Sequence, residues 1–329
     1  MTTQPHITPY PSFDSLPLDK NGPRGNAWGL WGPDDQIGTL NLLTDWVMQR
    51  AAEGNIKIGT RVSLNWSMTA ASNPRFPRGT LELRLINKAP LKHAHDDERT
   101  FNSQCSSQWD GFRHYAYQNE ELYYMARTAS DFAASDIPNG IQHVSKKGIA
   151  GRAILIDWYT WAQRQNFAVD ATTAYATPFS ELISALEYQK MSTSDIRPGD
   201  ILIIRSGYIA QYNEMPDDKR SRLNEEYKTQ KPSNIGVQPS EEILRFLWKK
   251  RIAAVAGDSI SFEVWPCNER GTQWHLHEWL LAGWGMPIGE LFDLEDVAAV
   301  CKRLGRWRFF LSSEVPGAVA SPPNALAFF

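Results

Sequence analysis

A chain of 329 residues, 42% of them hydrophobic, carries enough apolar material to bury a sizeable core. Its 34 basic and 37 acidic residues leave a net charge of -3 with no long run of one sign, which argues against nucleic acid or anionic lipid and for a small-molecule partner. Three scattered cysteines (Cys105, Cys267, Cys301) form neither a disulfide framework nor a Cys-rich zinc site, no window approaches the roughly 18 apolar residues of a membrane span, and the N-terminus lacks an export pattern, so a cytoplasmic protein is expected.

Residues 1–45 are rich in Pro, Gly and Asn and are expected to wrap, as an extended arm, around a single domain spanning 1–329. Thr44 then caps a short helix that stops near Gly54. "RVSLNWSM" and "LELRLI" alternate like strands exposed on one face, and the stretch from Lys92 to Gln118 is too polar for an ordinary core strand. "GRAILIDW" predicts a short buried strand, "PFSELISALEYQ" an amphipathic helix, and "RPGDILIIRSGY" a turn feeding another buried strand. "PSEEILRFLWKKR" is a helix opened by acids and closed by bases, in line with the helix dipole, and "IAAVAGDS" is a strand ending at Asp258. "TQWHLHEWLLAGWG" reads as helical to Gly283, "DLEDVAAVCKRLG" as a capped helix and "WRFFLSS" as a last strand. Strands alternating with helices, without repeats or low-complexity tracts, imply an α/β chain with a mixed sheet.

No G-x-S-x-G elbow, Walker loop or H-E-x-x-H motif is present. The polar stretch instead holds Gln104, Gln108, Asp110 and His114, and in an extended segment residues two and four apart point to one side. That spacing fits a convergent site, and it also fits an Asp110–His114 pair in a loop flanked by surface glutamines. His277 on a helix and Glu290 beyond a Gly- and Pro-containing turn are open to two readings in the same way: a catalytic pair, or a half-buried helix residue and a solvated acid. Thirteen tryptophans, several beside Gly or Pro, suit either the walls of an apolar pocket or ordinary packing. His93 and His95 could share one strand face and bind metal, but their acidic, polar company suggests a solvated loop. Cys105 alternates to the face opposite the glutamines and is expected to be inert, as Arg113 is expected to be structural. Asp258 either orients a site residue or caps a helix, and Ser259 reads as a cap or turn residue.

In their order, "GRAILIDW", "IRPGDILIIRSGY", "AGDS" and "LHEWLLAGWGMPIGE" resemble the cyclase family that includes bacterial kynurenine formamidase and isatin hydrolase. "WGPDDQIGTLNLLT", "SSQWDGFRHYAYQ" and "ASPPNALA" resemble its fungal-type branch. The resemblance implies a β-barrel-like mixed sheet flanked by helices, and a homo-oligomer, dimer or tetramer. In the metal-dependent members the signature H-x-G-T-H-x-D-x-P-x-H supplies two His and an Asp as ligands and a last His for protons, completed by a later His and Glu. Laid on this chain it puts ligands at Gln104, Gln108, Asp110, His277 and Glu290, the proton-handling group at His114, Ser107 at the Thr position and Phe112 at the Pro position. Both leading histidines are thus glutamines, whose neutral oxygens move preference from Zn²⁺ toward Mn²⁺ or Mg²⁺. Trp31, Trp109, Phe112 and Trp284 are expected to wall the substrate pocket, with Asp258 and Ser107 orienting the groups inside it. The implied activity is metal-dependent hydrolysis of an amide or lactone bond in a small cyclic or aromatic metabolite. The alternatives are a ring-closing cyclase or dehydratase of secondary metabolism that uses His114 as acid and base, and a binding protein that kept the fold without the catalysis.

Overall fold

The computed structural model describes residues 10–71, 76, 78–135, 138–267, 273–315 and 319–329, so residues 1–9 of the expected arm and Thr272 of the expected helix lie outside the described residues. In chain order the strands are β1 (Arg61–Ser63), β2 (Glu82–Asn87), β3 (His95–Thr100), β4 (Gln108–Asp110), β5 (Ile149–Ile156) and β6 (Ala176–Thr177). They continue with β7 (Ile201–Ile204), β8 (Gly236–Val237), β9 (Ala254–Gly257), β10 (Ile288–Glu290), β11 (Arg308–Ser313), β12 (Ala320–Ser321) and β13 (Leu326–Phe328). Nine of them form one strongly curled, half-barrel sheet in the order β1-β13-β11-β5-β7-β9-β10-β4-β12, flanked by helices.

The centre of the sheet is the parallel set β5, β7, β9 and β10. β7 and β9 are uninterrupted apolar runs and β5 is broken only by Arg152, because both faces of these strands are covered. Alternate residues feed two cores. Ile154, Ile156, Leu202, Ile204 and Val255 face helices Phe179–Tyr188 and Glu241–Lys250, and Ala153, Leu155, Ile201, Ile203 and Ala256 face helix Glu295–Leu304.

Several expected elements are present: Thr44 accepts from the Val47 amide at 3.3 Å to cap helix Asp45–Asn55, and Ser240 caps Glu241–Lys250 in the same way. Others differ. Of "RVSLNWSM" only Arg61–Ser63 forms a strand, and β2 with β3 makes a separate hairpin exposed on both faces, with Leu83 60% and Leu85 66% accessible. The polar stretch, by contrast, contains a strand of the main sheet after all: β4 is wholly buried, because its polar side chains find partners inside the protein. The C-terminal "LAF" returns as β13 between β1 and β11, a strand that its short, unalternating sequence does not announce.

The described part of the arm runs over the helix that follows His277 and over helix Glu241–Lys250, and tryptophans fasten it there. Trp284 Nε1 donates to Gly25 O at 2.9 Å, Trp28 Nε1 to Ala282 O at 2.8 Å and Trp248 Nε1 to Pro11 O at 2.8 Å, while Phe13 stacks on Trp279 at 5.7 Å. Close approach at one point requires glycine: a Cβ on Gly38, whose φ is +53°, would lie 1.9 Å from Gly285 O.

Asp258, at the end of β9, is fully buried and accepts from Ser206 N (2.6 Å), Ser206 Oγ (2.6 Å) and Gly207 N (2.8 Å), immediately before helix Tyr208–Glu214. It is therefore a helix-entry anchor. Replacing it by Ala strands three buried donors, and we expect Asp258→Ala to lower stability by about 2–4 kcal/mol, read as a fall in urea midpoint with an unchanged m value, against about 1 kcal/mol for Ser206→Ala.

Candidate active site

The site is assembled by one strand register. β4 pairs antiparallel with β10 so that Asp110 opposes Ile288, Trp109 opposes Gly289 and Gln108 opposes Glu290. Directly opposed residues bring their side chains together, and Gln108 Nε2 donates to Glu290 Oε2 at 2.6 Å. Trp109, between the two site residues, points to the other face. Gly289 leaves room for it, since a Cβ there would lie 3.1 Å from the Trp109 ring and 2.6 Å from the Ala256 side chain.

The remaining groups arrive from turns. His114 N donates to Gly111 O at 3.0 Å, and this turn carries the imidazole back until Nε2 lies 3.8 Å from Asp110 Oδ2. Gln104 Nε2 donates to Asp110 Oδ1 at 2.6 Å and sits 3.0 Å from His114 Nδ1. His277 precedes the π-helix Glu278–Trp284, a geometry frequent at functional sites. Its Nδ1 lies 2.6 Å from Glu263 Oε1 and its Nε2 3.3 Å from Glu290 Oε1. Glu263, fully buried, also accepts the backbone N–H groups of Leu276 (2.6 Å) and His277 (3.1 Å), so it sets both the ring and the start of the helix.

Burial and charge together decide the protonation states. Burial, reinforced by the Glu290 charge, pushes the Asp110 carboxyl up to about 7. Burial, with the charges of His277 and Arg78, holds the His114 imidazole well below its usual range, so it is neutral at neutral pH. Burial alone would lower His277, but its two carboxylate partners, Glu263 and Glu290, outweigh this and raise it to about 10. Burial opposes the charge of Glu263 as well, and His275 and His277 still hold that carboxyl at about 2.

Asp110, His114 and His277 offer ligand atoms that all lie within 4.8 Å of one another. Two oxygens beside them, Asp110 Oδ2 and Gln108 Oε1, are buried and make no hydrogen bond among the described residues. The Asp110 carboxylate, the Gln108 amide oxygen, the His277 imidazole and the Glu290 carboxylate form a donor set that suits a divalent cation of hard to borderline character, with the His114 ring beside them. The residues present therefore fit such an ion.

Gln104, Gln108, Asp110, His114, His277 and Glu290 are thus gathered in one cluster: Gln108 and Asp110 share a face by alternation in β4, whereas turns at its two ends, rather than continued alternation, bring in Gln104 and His114. Ser107 buttresses it, accepting from Trp66 N at 2.7 Å and donating to Leu291 O at 2.6 Å. The expected aromatic walls do not face the cluster. Trp109 is fully buried against Phe292 with Nε1 donating to Ser313 Oγ at 2.9 Å, and Phe112 packs 5.0 Å from Tyr124 in a separate apolar cluster. Trp284 is taken up by the arm, and Trp31 neighbours Tyr10 at 6.3 Å. Asp258 binds the Ser206–Gly207 turn and none of these groups. Arg113 Nε donates to Pro138 O, Cys105 is buried with burial raising its thiol, and His93 and His95 are exposed on or beside the hairpin. Sequence reasoning missed Glu263, His275 and Tyr115, the last stacked on His275 at 5.2 Å. The available signal for Glu263 was an acid inside the apolar run "SFEVW".

The family model described as "Putative cyclase" matches residues 35–264, more than half of the chain. The protein belongs to the cyclase family. The sequence has no match among curated proteins. Among solved structures, a novel cyclase superposes with a TM-score of 0.76 at 27% identity, covering 93% of this chain and 100% of that one. An isatin hydrolase bound to the product analogue thioisatinate gives a TM-score of 0.55 at 14% identity (85% and 94% covered), and isatin hydrolase A from Ralstonia solanacearum gives 0.53 at 12% (85% and 94%), likenesses of fold. Membership of that family makes this chain an enzyme. Among the described residues no helix is long and apolar enough to cross a membrane.

In metal-free protein the His277 ring should carry its charge through pH 8 and titrate near pH 10, followed by imidazole NMR. Because the folded value lies above the ordinary 6.5, the stabilisation is complete below about 6.5 and fades as pH rises toward about 10. Glu263→Gln should bring the midpoint back toward the ordinary range; a midpoint unchanged in that variant would refute the assigned pairing.

Proposed function

We propose that this protein is a metal-dependent hydrolase that opens an amide or lactone bond in a small cyclic or aromatic metabolite. The observation that carries this reading is the Asp110–His114–His277 cluster, with Asp110 Oδ2 buried and lacking a hydrogen-bond partner beside two imidazoles. Asp110, His277, Glu290 and the oxygen of Gln108 would hold a divalent ion, Mn²⁺ or Mg²⁺ before Zn²⁺, and Gln104 would join through its own oxygen if its amide turned over. When bound, such an ion supplies Lewis acidity toward a carbonyl and lowers the pKa of water.

The chain's own residues do the rest. Glu263 fixes the His277 ring through Nδ1, leaving Nε2 directed at the cluster. His114, neutral and with 18% of its side chain accessible, is the group at the cluster's open edge. It takes a proton from the attacking water as the water oxygen bonds to the carbonyl carbon, then returns it to the departing nitrogen or oxygen as the C–N or C–O bond breaks. The products are a carboxylic acid and an amine or alcohol, still joined if the substrate was a ring. We extend the proposal to a single-domain homo-oligomer in the cytoplasm.

A second reading has its own support. Gln104 and Gln108 already donate to Asp110 and Glu290, so the carboxylates are partly satisfied without any cation, as a metal-independent ring-closing enzyme with His114 as acid and base would need. The test is protein stripped with chelator and assayed on lactone, ester and N-formyl amide substrates before and after Mn²⁺, Mg²⁺ or Zn²⁺. Recovery of hydrolysis with metal is expected; equal turnover in stripped and loaded protein would reject the metal dependence of the reaction. His114→Ala should lower turnover at least about a hundredfold with metal content near normal, whereas Asp110→Ala should lose both, by elemental analysis. Equal metal loss in the two variants would remove His114 from its proton-handling role.

A further inference from the structure

One cavity shares no residue with the Asp110 cluster. It measures about 570 Å³, a volume typical of small-molecule sites, and lies between helix Asp45–Asn55, Arg152 in the middle of β5 and Arg308 at the start of β11. Five arginines line it against a single aspartate: Arg50, Arg152, Arg197, Arg251 and Arg308 against Asp200.

The one acid is already spent. Arg152 Nε and Nη2 grip Asp200 at 2.8 and 2.6 Å, and the backbone N–H of Arg197 adds a third bond at 2.7 Å. The Arg152 side chain is only 9% accessible, and its Nη1 makes no hydrogen bond among the described residues. Arg50, Arg197, Arg251 and Arg308 form no ion pair among the described residues. Arg50 lies over the Trp46 ring at 5.7 Å and Arg251 over Tyr10 at 4.8 Å. Arg197 acts at longer range on Asp200 and Arg308 on Asp195, but five guanidinium groups around one concavity outnumber these two acids, and a multiply charged anion relieves the remaining repulsion while accepting their forked donors.

We propose that this cavity is a binding site for a small molecule carrying a phosphate or diphosphate group, separate from the catalytic cluster. Arg152 supplies a buried donor at its floor, Arg197 and Arg308 bind the phosphate oxygens, and the Trp46 ring flanks the remainder of the ligand.

The full chain is titrated with inorganic phosphate, pyrophosphate and ATP at ionic strength matched with chloride, with thermal midpoint and calorimetric affinity as readouts. Pyrophosphate and ATP should raise the midpoint, and Arg197→Gln/Arg308→Gln should weaken their binding at least about tenfold with an unchanged circular dichroism spectrum. ATP binding more tightly than pyrophosphate would identify a nucleotide, and equal binding the phosphate group itself; both support the site. No shift with any of the three, or an equal shift in the double variant, would overturn it. So would a double variant that changes the oligomeric state of ligand-free protein, because the arginines would then face an acidic surface of a second copy. None of these readouts depends on hydrolysis.

Discussion

The pairing of β4 with β10 is the constraint on which the site rests. Each strand is only three residues long, and their register places Glu290 opposite Gln108 and Ile288 opposite Asp110. A slip of one residue would turn Gln108 and Asp110 toward the apolar core and Trp109 into the polar cluster, so the slip is opposed on both faces at once. The Trp109 ring is fixed by Phe292 and Ser313, and Gly289 has no side chain to obstruct it. Packing on the back of the strand thereby sets the chemistry on its front.

Once the groups are together, their electrostatics follow from burial. Asp110, Glu263 and Glu290 are all nearly or fully buried, and three carboxylates so close cannot all stay ionised without compensation. His277 compensates two of them. Asp110 has the Gln104 amide on one oxygen and no hydrogen bond on the other, and burial, reinforced by the Glu290 charge, holds its proton up to about pH 7. The two glutamines therefore have a double character. Each donates an N–H to a carboxylate at 2.6 Å, doing in a neutral way what a cation would do by charge, and the buried Gln108 Oε1 remains free to act as a ligand without breaking that bond.

Much of this was legible in the sequence, and the gaps have physical causes. The parallel strands and the helices Glu241–Lys250 and Glu295–Leu304 announce themselves by apolar runs, caps and charge order, because local preference and burial agree there. Gln108, Asp110, His277 and Glu290 were found through their place in a family pattern, whereas spacing alone also fitted a solvated loop. Glu263 was missed because its partners lie at 276 and 277, and no local rule links an acid to backbone N–H groups in a later turn. The tryptophans misled for a related reason. A ring beside glycine predicts a close contact with backbone, but not whether that backbone belongs to a ligand pocket or to another segment of the chain.

Here that backbone belongs to the arm, and the arm bears on the site. The π-helix Glu278–Trp284 begins at the residue after His277 and would be free on its outer side without residues 10–30. Gly283 O accepts from Ala27 N at 2.9 Å, Ala282 O from Trp28 Nε1, and Glu278 pairs with Arg24 at 3.1 Å while also taking the Gln118 amide at 3.2 Å. A π-helix leaves its turns wider than an α-helix and is held by what surrounds it. By tying these carbonyls and the Glu278 carboxylate to the first thirty residues, the chain fixes the helix that His277 immediately precedes. The imidazole is then held from both sides, by Glu263 through its ring and by the N-terminal arm through its helix, so the segment most remote from the chemistry in sequence helps to set its geometry.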